Sequence, residues 1–551
     1  MSATYPRKVD FFLKRNLSLL AIIVAFLVLG SVGSSFVDFS FIEAVRDFPG
    51  GLSWLLANFM PTLSSFQYTE KIALALASTV LNAVSAVTLA SLAAYVCAVV
   101  ASRITGFGGL VQLFVRGVAT VIRNIPVVAW AFILLISFKQ SEFTGYLALF
   151  LKSYGFLTRC FLETVDEVSV GSIEALRATG ASRLQIIIHA VIPQSITQVI
   201  SWTLFRLESN IRDATLVGIL TGTGIGFVFE LYYRSFRYDA AGLVVIGVAL
   251  TVFVLEACSN LIRHKVIEGD KTPHLSAGIR MSKRGNIKTR VMVRSNVLLA
   301  ATIFVLGGMT VYALIQMNYG RVDLGQATLN ALRSFSTLAF EPCLDGHFEF
   351  IELVEGLFIT LSLALLTMLG GTILGFVLGV FAATNLTGRL ISNTIKLVSS
   401  VVRAVPTILW VLIFTVAIGL GSEACIVGMM FHTVAFLTKA FSEAFEEVDP
   451  GVLDALRSTG ATWWQVIFCG VLPEKLNELL SWIFIRFESN FVNSVVVGAI
   501  AGAGGIGYQL YLTANFYFNM HEVGLIIYMC LAVSITFEIL ATQLRKRLAV
   551  K

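Results

Sequence analysis

Apolar residues in this chain come in long unbroken runs rather than in the two-residue alternation of a half-buried strand. Six runs fall near 17–36, 72–100, 118–138, 143–161, 196–221 and 241–262, and six more near 297–316, 357–383, 398–420, 425–441, 476–500 and 523–540. Each is close to the length that crosses a hydrocarbon core about 30 Å thick as a helix. The pattern predicts an all-α polytopic membrane protein with about twelve transmembrane helices. The first run follows Arg7, Lys8, Lys14 and Arg15 and lacks a small-residue cleavage site, so it reads as a first span and not a cleaved signal.

Two polar islands interrupt these runs at matched places. Residues 174–193 read EALRATGASRLQIIIHAVIP, and residues 454–473 read DALRSTGATWWQVIFCGVLP. Each carries the signals of a short helix. Asp449 can cap the free amides, Pro450 suits the first helical position, and Gly460 supplies a left-handed stop; Ser169, Val170 and Gly180 stand at the corresponding places of the first copy. A helix of about ten residues is barely stable alone in water. The small face formed by Ala175 and Ala178, or by Ala455 and Ser458, is therefore expected to need a partner groove.

The repetition extends beyond the islands. Arg123, Pro126, Trp130, Glu163, Gly180 and Pro193 recur 280 positions later as Arg403, Pro406, Trp410, Glu443, Gly460 and Pro473. The chain thus divides into a first repeat at 1–265, a basic linker at 266–294 and a second repeat at 295–551. An even number of spans per repeat predicts two parallel six-helix units related by a pseudo-twofold axis along the membrane normal.

Composition sharpens this picture. The 551 residues are 56% hydrophobic and 13% charged, with a mean hydropathy of +0.82, which excludes a soluble globular protein. The net charge of +6 lies beside the spans as an orientation signal, so nucleic acid is not an expected partner. The linker's basic residues place it, both termini and both islands in the cytoplasm; the acid-leaning stretch 318–352 belongs outside. Seven cysteines, mostly within apolar runs, form no CxxC pair and no disulfide framework.

A Glu-Ala pair, a glycine soon after and a proline thirteen residues beyond that glycine resemble the EAA loop of binding-protein-dependent ABC importer permeases. The residues are Glu174, Ala175, Gly180 and Pro193, then Asp454, Ala455, Gly460 and Pro473, with Asp454 standing where the family has glutamate. RLESN at 206–210 and RFESN at 486–490, the latter followed by the glycine run that ends Gly505, Ile506, Gly507, resemble the phosphonate permease family. The resemblance implies the type I ABC importer permease fold, two such units fused, in a bacterial inner membrane. It also implies two ATP-binding partner subunits docked on the islands, an extracytoplasmic substrate-binding protein and a small anionic substrate: phosphonate, phosphate or phosphite. No cofactor is expected on the chain itself. ATP and magnesium would belong to the partners, consistent with the lack of any GxxxxGK[ST] phosphate loop, and the chain is not expected to be an enzyme.

Charges within the spans supply the candidate pathway. Arg206 and Arg486 lie midway along theirs, where a charge is costly unless it faces protein or water. Arg206, Asn210 and Asp213 share a helix face, as do Arg486, Asn490 and Asn493; Glu208 can reach Arg212, whereas Glu488 faces Val492. Lys152 and His432 are equivalent residues of the fourth spans. Two roles stay open for these groups, lining an anion pathway or pairing ions between the halves. Glu256 and Glu538 are expected to pair with Arg263 and Arg545. The glycines at 222, 224 and 226 and at 502, 504, 505 and 507 are expected to give close packing or a bend at an outer gate. Three other readings of the whole chain remain: an ABC permease for a different small solute, an ATPase-independent secondary transporter, and a membrane scaffold.

Overall fold

A computed structural model describes residues 24, 26–105, 109–271 and 294–549, without the side chains of 266–271, 294–296 and 544–549. The basic N-terminal segment, the start of the first apolar run, most of the linker and the side chains of the tail arginines lie outside what is described. Every described element is a helix, as expected where lipid offers the backbone no hydrogen-bond partner.

The first half comprises α1 (Phe26–Phe36), α2 (Phe41–Asn58), α3 (Thr69–Ala101), α4 (Gly109–Asn124), α5 (Val127–Phe138), α6 (Glu142–Asp166), α7 (Val170–Ala178), α8 (Arg183–Thr221), α9 (Gly224–Arg234) and α10 (Tyr238–Lys271). The second repeats it element for element: α11 (Arg294–Gln316), α12 (Leu324–Phe340), α13 (Phe350–Ala382), α14 (Arg389–Ala404), α15 (Thr407–Ile418), α16 (Ser422–Glu446), α17 (Pro450–Ser458), α18 (Trp463–Ala501), α19 (Gly505–Leu512) and α20 (Met520–Ala549). Eight of these helices are long and apolar enough to cross a membrane, or up to eleven if each of three bent pairs counts as one span. Their outer faces carry exposed apolar side chains such as Leu74, Leu92, Leu250, Phe304 and Ile373, as lipid contact requires.

Two expected spans are not straight. The runs at 118–138 and 398–420 are each broken by a proline, so that α4 meets α5 at 92° and α14 meets α15 at 88°. Pro406 drives Val405 into an extended conformation, which ends the helix before it. The bend strands carbonyl groups, and an indole recovers one of them: Trp130 Nε1 donates to Ile122 O at 3.3 Å, and Trp410 Nε1 donates to Val402 O at 3.1 Å.

The glycine clusters close α8 and α18 and begin short helices that fold back against them. Gly222 and Gly502 cap in left-handed conformation, at φ 66° and 71°. A Cβ on Gly507 would fall 1.7 Å from Val495 O, so only glycine lets α19 approach α18 this closely.

The halves interlock. α1 crosses to the second half, setting Phe26 against Phe484 and Phe36 against Phe358 with ring centroids 6.2 Å apart in each pair. In return α11 packs on α3; likewise α2 covers α15, and α12 covers α5.

Candidate functional site

At each polar island the local code is that of a capped helix. Asp449 Oδ1 accepts from Gly451 N at 2.8 Å, Pro450 occupies the first turn, and Gly460 follows at φ +79°. In the first copy Ser169 precedes α7 without a side-chain cap bond, and Gly180 follows at φ +80°. One apolar residue anchors each helix, Ile173 or Leu453, while Glu174, Ala175, Ala178, Asp454, Ala455 and Ser458 are exposed. Arg177 and Arg457 tie the helices down by donating to Ile104 O at 3.1 Å and to Asn385 O at 3.0 Å. The chain then re-enters through a capping box, Ser182 with Gln185 and Thr462 with Gln465, and through a widened π turn at Ile187–Val191 or Val466–Val471. Pro193 and Pro473 follow the wide turn, which absorbs the helix hydrogen bond that a proline cannot make.

Between the halves lies a cavity of about 420 Å³ walled by α4, α6 and α8 on one side and by α14, α16 and α18 on the other. Six basic side chains line it, Arg123, Lys152, Arg206, Arg212, Arg403 and Arg486, against the acids Glu208, Asp213 and Glu488; His432 is also in the wall. Arg206 and Arg486 are each 5% exposed.

The first-half wall is paired within itself, with Arg206 and Lys152 sharing one acid. Arg206 donates from Nε to Ser153 Oγ at 3.2 Å and from Nη2 to Asn210 Oδ1 at 3.2 Å and Asp213 Oδ2 at 3.1 Å. Lys152 Nζ lies 3.0 Å from the same Asp213 oxygen, and Arg212 bonds Glu208 at 3.3 Å. In the second half Arg486 donates to Thr433 Oγ1 from Nε at 3.2 Å and from Nη2 at 3.1 Å, while Thr433 Oγ1 lies 3.0 Å from Asn490 Oδ1. Phe156 and Phe436 present ring faces to the two guanidinium groups at 5.6 and 5.3 Å.

Of the sequence-derived pathway residues, Lys152, Arg206, Glu208, His432, Arg486 and Glu488 come together on this cavity. Asn210 and Asn490 do not: both are wholly buried behind the arginines and hold them in place. Pairing between halves is not the work of Arg206, whose acid is on its own helix.

That work falls to Glu256 and Glu538; the expected partner of Glu256 is corrected, while the side chain of Arg545, expected beside Glu538, lies outside the described residues. Glu538 pairs with Arg123 at 2.5 Å and with Arg159, both in the first half, and Glu256 pairs with Arg403 in the second half, with Lys439 Nζ 4.0 Å away. Arg263 is two helical turns from Glu256, about 10 Å along the axis, and bonds Asn260 instead. Arg123 and Arg403 were legible only as a repeated arginine three residues before a proline. Their position on both the cavity and the cross-half pairs comes from the fold.

An all-α membrane protein with a polar cavity between repeated halves and exposed paired helices is a transport permease subunit, not an enzyme. The family model for the inner membrane component of binding-protein-dependent transport systems matches residues 90–267 and 375–550. The chain belongs to that family, with two of its units fused in one polypeptide. It is 27% identical over 471 residues to the phosphate-import permease protein PhnE of Mycolicibacterium smegmatis, covering 85% of this chain and 84% of that protein. It is 29% identical over 239 residues to the phosphite transport system permease protein PtxC of Stutzerimonas stutzeri, covering 43% of this chain and 86% of that one. Among solved structures, an inward-facing MetNI methionine ABC transporter aligns at a TM-score of 0.33 with 22% identity, covering 36% of this chain and 96% of that one.

Proposed function

We propose that this chain supplies both membrane-spanning units of a type I ABC importer for a phosphorus oxyanion: phosphonate, phosphite or phosphate. Its first permease unit is 1–265, its linker 266–294 and its second unit 295–551, with about twelve spans in two parallel sets and both termini and the linker in the cytoplasm of a bacterial cell. The observation that carries the substrate class is the cavity wall, where six basic side chains face three acidic ones. Charge of that sign lowers the barrier to an anion, and the relatives named for phosphate and phosphite import support the same class.

In this reading α7 and α17 are the coupling helices. Two ATP-binding subunits, which carry ATP and magnesium, dock on the exposed faces that include Glu174, Ala175, Asp454 and Ala455, and Gly180 and Gly460 set the turn that holds each helix. A binding protein delivers the anion to the outer side. The two units then rock about the cavity, where Lys152, Arg206, Glu208, His432, Arg486 and Glu488 line the route and Asn210 and Asn490 brace the two arginines.

The test is uptake of labelled methylphosphonate, phosphite and phosphate, each measured separately, by vesicles containing this chain, with and without the ATP-binding subunit and binding protein. ATPase-dependent uptake of any of the three anions supports the reading. Uptake without the ATPase, or of none of the three with it, overturns it.

A further inference from the structure

The two arginine sites share one frame. Ser153 and Thr433 accept from guanidinium Nε at 3.2 Å, and Phe156 and Phe436 face the two guanidinium groups. Asn210 accepts from Arg206 directly, whereas Asn490 accepts from Thr433. The charged positions differ: Lys152 against His432, Arg212 against Val492 and Asp213 against Asn493. In the first half the Asp213 carboxylate sits between Arg206 Nη2 and Lys152 Nζ, at 3.1 and 3.0 Å. In the second half no carboxylate among the described residues lies within 4.0 Å of Arg486. Two of its five N–H donors go to Thr433, and the other three have no acceptor among the described residues. Beside it His432 is 8% exposed, and its Nδ1 has no hydrogen-bond partner among the described residues. Asn493 faces the same cavity.

A guanidinium that faces a cavity with uncommitted donors and no counter-ion draws an anion into the space before it. The nearby acids do not supply one: Glu208 is bonded to Arg212 at 3.3 Å, and Glu488, although in the same cavity wall, makes no ion pair with Arg486 within 4.0 Å. We infer that the seat formed by Arg486, His432 and Asn493 binds the transported oxyanion, and that Asp213 occupies the equivalent seat of the first half as a built-in anion. The chain therefore offers one oxyanion site, on the second-half wall, despite its twofold design. The PO3 group common to phosphonate, phosphite and phosphate matches the fork of free guanidinium donors, with Asn493 and His432 beside it. A single guanidinium, without a second fixed cation such as Lys152 provides in the first half, leaves the anion weakly enough held to depart.

This inference rests on the oxyanion reading of the permease, and the test separates the two. The full-length permease in detergent is titrated with methylphosphonate, phosphite and phosphate, binding is read from 31P line broadening, and uptake is measured in vesicles with the ATP-binding subunit and binding protein. H432K/N493D recreates in the second half the lysine–aspartate pair that the first half already folds around; it should reduce broadening and uptake at least fivefold. K152H/D213N opens the first-half seat and should broaden the 31P line more than wild type does. If H432K/N493D does not assemble, N493D alone is judged by the same fivefold criterion. Wild-type broadening and uptake in the second-half variant would overturn the inference while leaving the importer intact, as would abolition of broadening by K152H/D213N. A wild-type protein that neither binds nor imports any of the three anions would overturn both.

Discussion

Arg123 Nη2 lies 2.5 Å from Glu538 Oε2, a contact that spans 415 positions of the chain and joins the first half to the last helix of the second. Arg403 and Glu256 make the reciprocal contact. Both arginines also line the cavity, so the same side chains clasp the halves and charge the space between them. With each glutamate held at the cavity's edge by the opposite half, a rocking motion must either carry these pairs as rigid hinges or break them.

Replacing both glutamates, E256Q/E538Q, should lower the melting temperature of the detergent-solubilised protein, each pair contributing about 1–3 kcal/mol, between exposed and fully buried pairs. R159A should cost less than R123A, because Arg159 is the more exposed of the two partners of Glu538. An unchanged melting temperature in the double variant would show that the pairs do not fasten the halves.

The turns after α7 and α17, the proposed coupling helices, give a graded prediction. A Cβ on Gly460 would meet nothing within 4 Å, so substitution there is penalised by its left-handed backbone alone. ATPase stimulation by the permease should fall in the order Gly, Asn, Ala, Val, with about 1 kcal/mol separating Gly from Ala. An alanine variant as active as wild type would refute a role for this turn in docking.

In the first turn of α20, Glu522 is fully buried and gathers the segment before α13. Its carboxylate accepts from the backbone N–H groups of Asp345 and His347, each at 3.0 Å, and lies 3.1 Å from His347 Nδ1. E522A leaves these donors unsatisfied at about 1–3 kcal/mol, and should open residues 341–349 to limited proteolysis. Protection equal to wild type would mean that the segment is held by other contacts.

Each indole at a proline bend bridges one stranded carbonyl. W130F and W410F keep the ring and delete the donor, so each should cost about 1 kcal/mol, read as a fall in melting temperature. The two losses should add, since the bends belong to different halves.

The sequence made the short helices α7 and α17 legible because their signals are local: Asp449, Pro450 and Gly460 act on neighbours within a few residues. Arg206 with Asp213 and Glu208 with Arg212 were equally readable, since helical periodicity alone brings them together. The bends at Pro126 and Pro406 were hidden by apolar runs that continue through both prolines, so hydropathy registered one span where the backbone makes two helices. The helices α2 and α12 were not read because their apolar residues are spaced along one face, and α2 also contains Pro49. The partners of Glu256 and Glu538 could not be read at all. Periodicity reports which face of a helix is polar, not which distant helix will meet it.

The exchange of α1 and α11 between the halves has a consequence for how the protein is made. By the time Ala101 has been synthesised, α3 is whole, yet the helix that covers it does not begin until Arg294, a delay on the order of tens of seconds at ordinary translation rates. Lipid or an insertion factor must shelter that face meanwhile, and α1 must wait in the bilayer for α13. The order of delivery by the ribosome thus decides which neighbours each early helix can choose among, and neither half reaches its finished shape before the other has been synthesised.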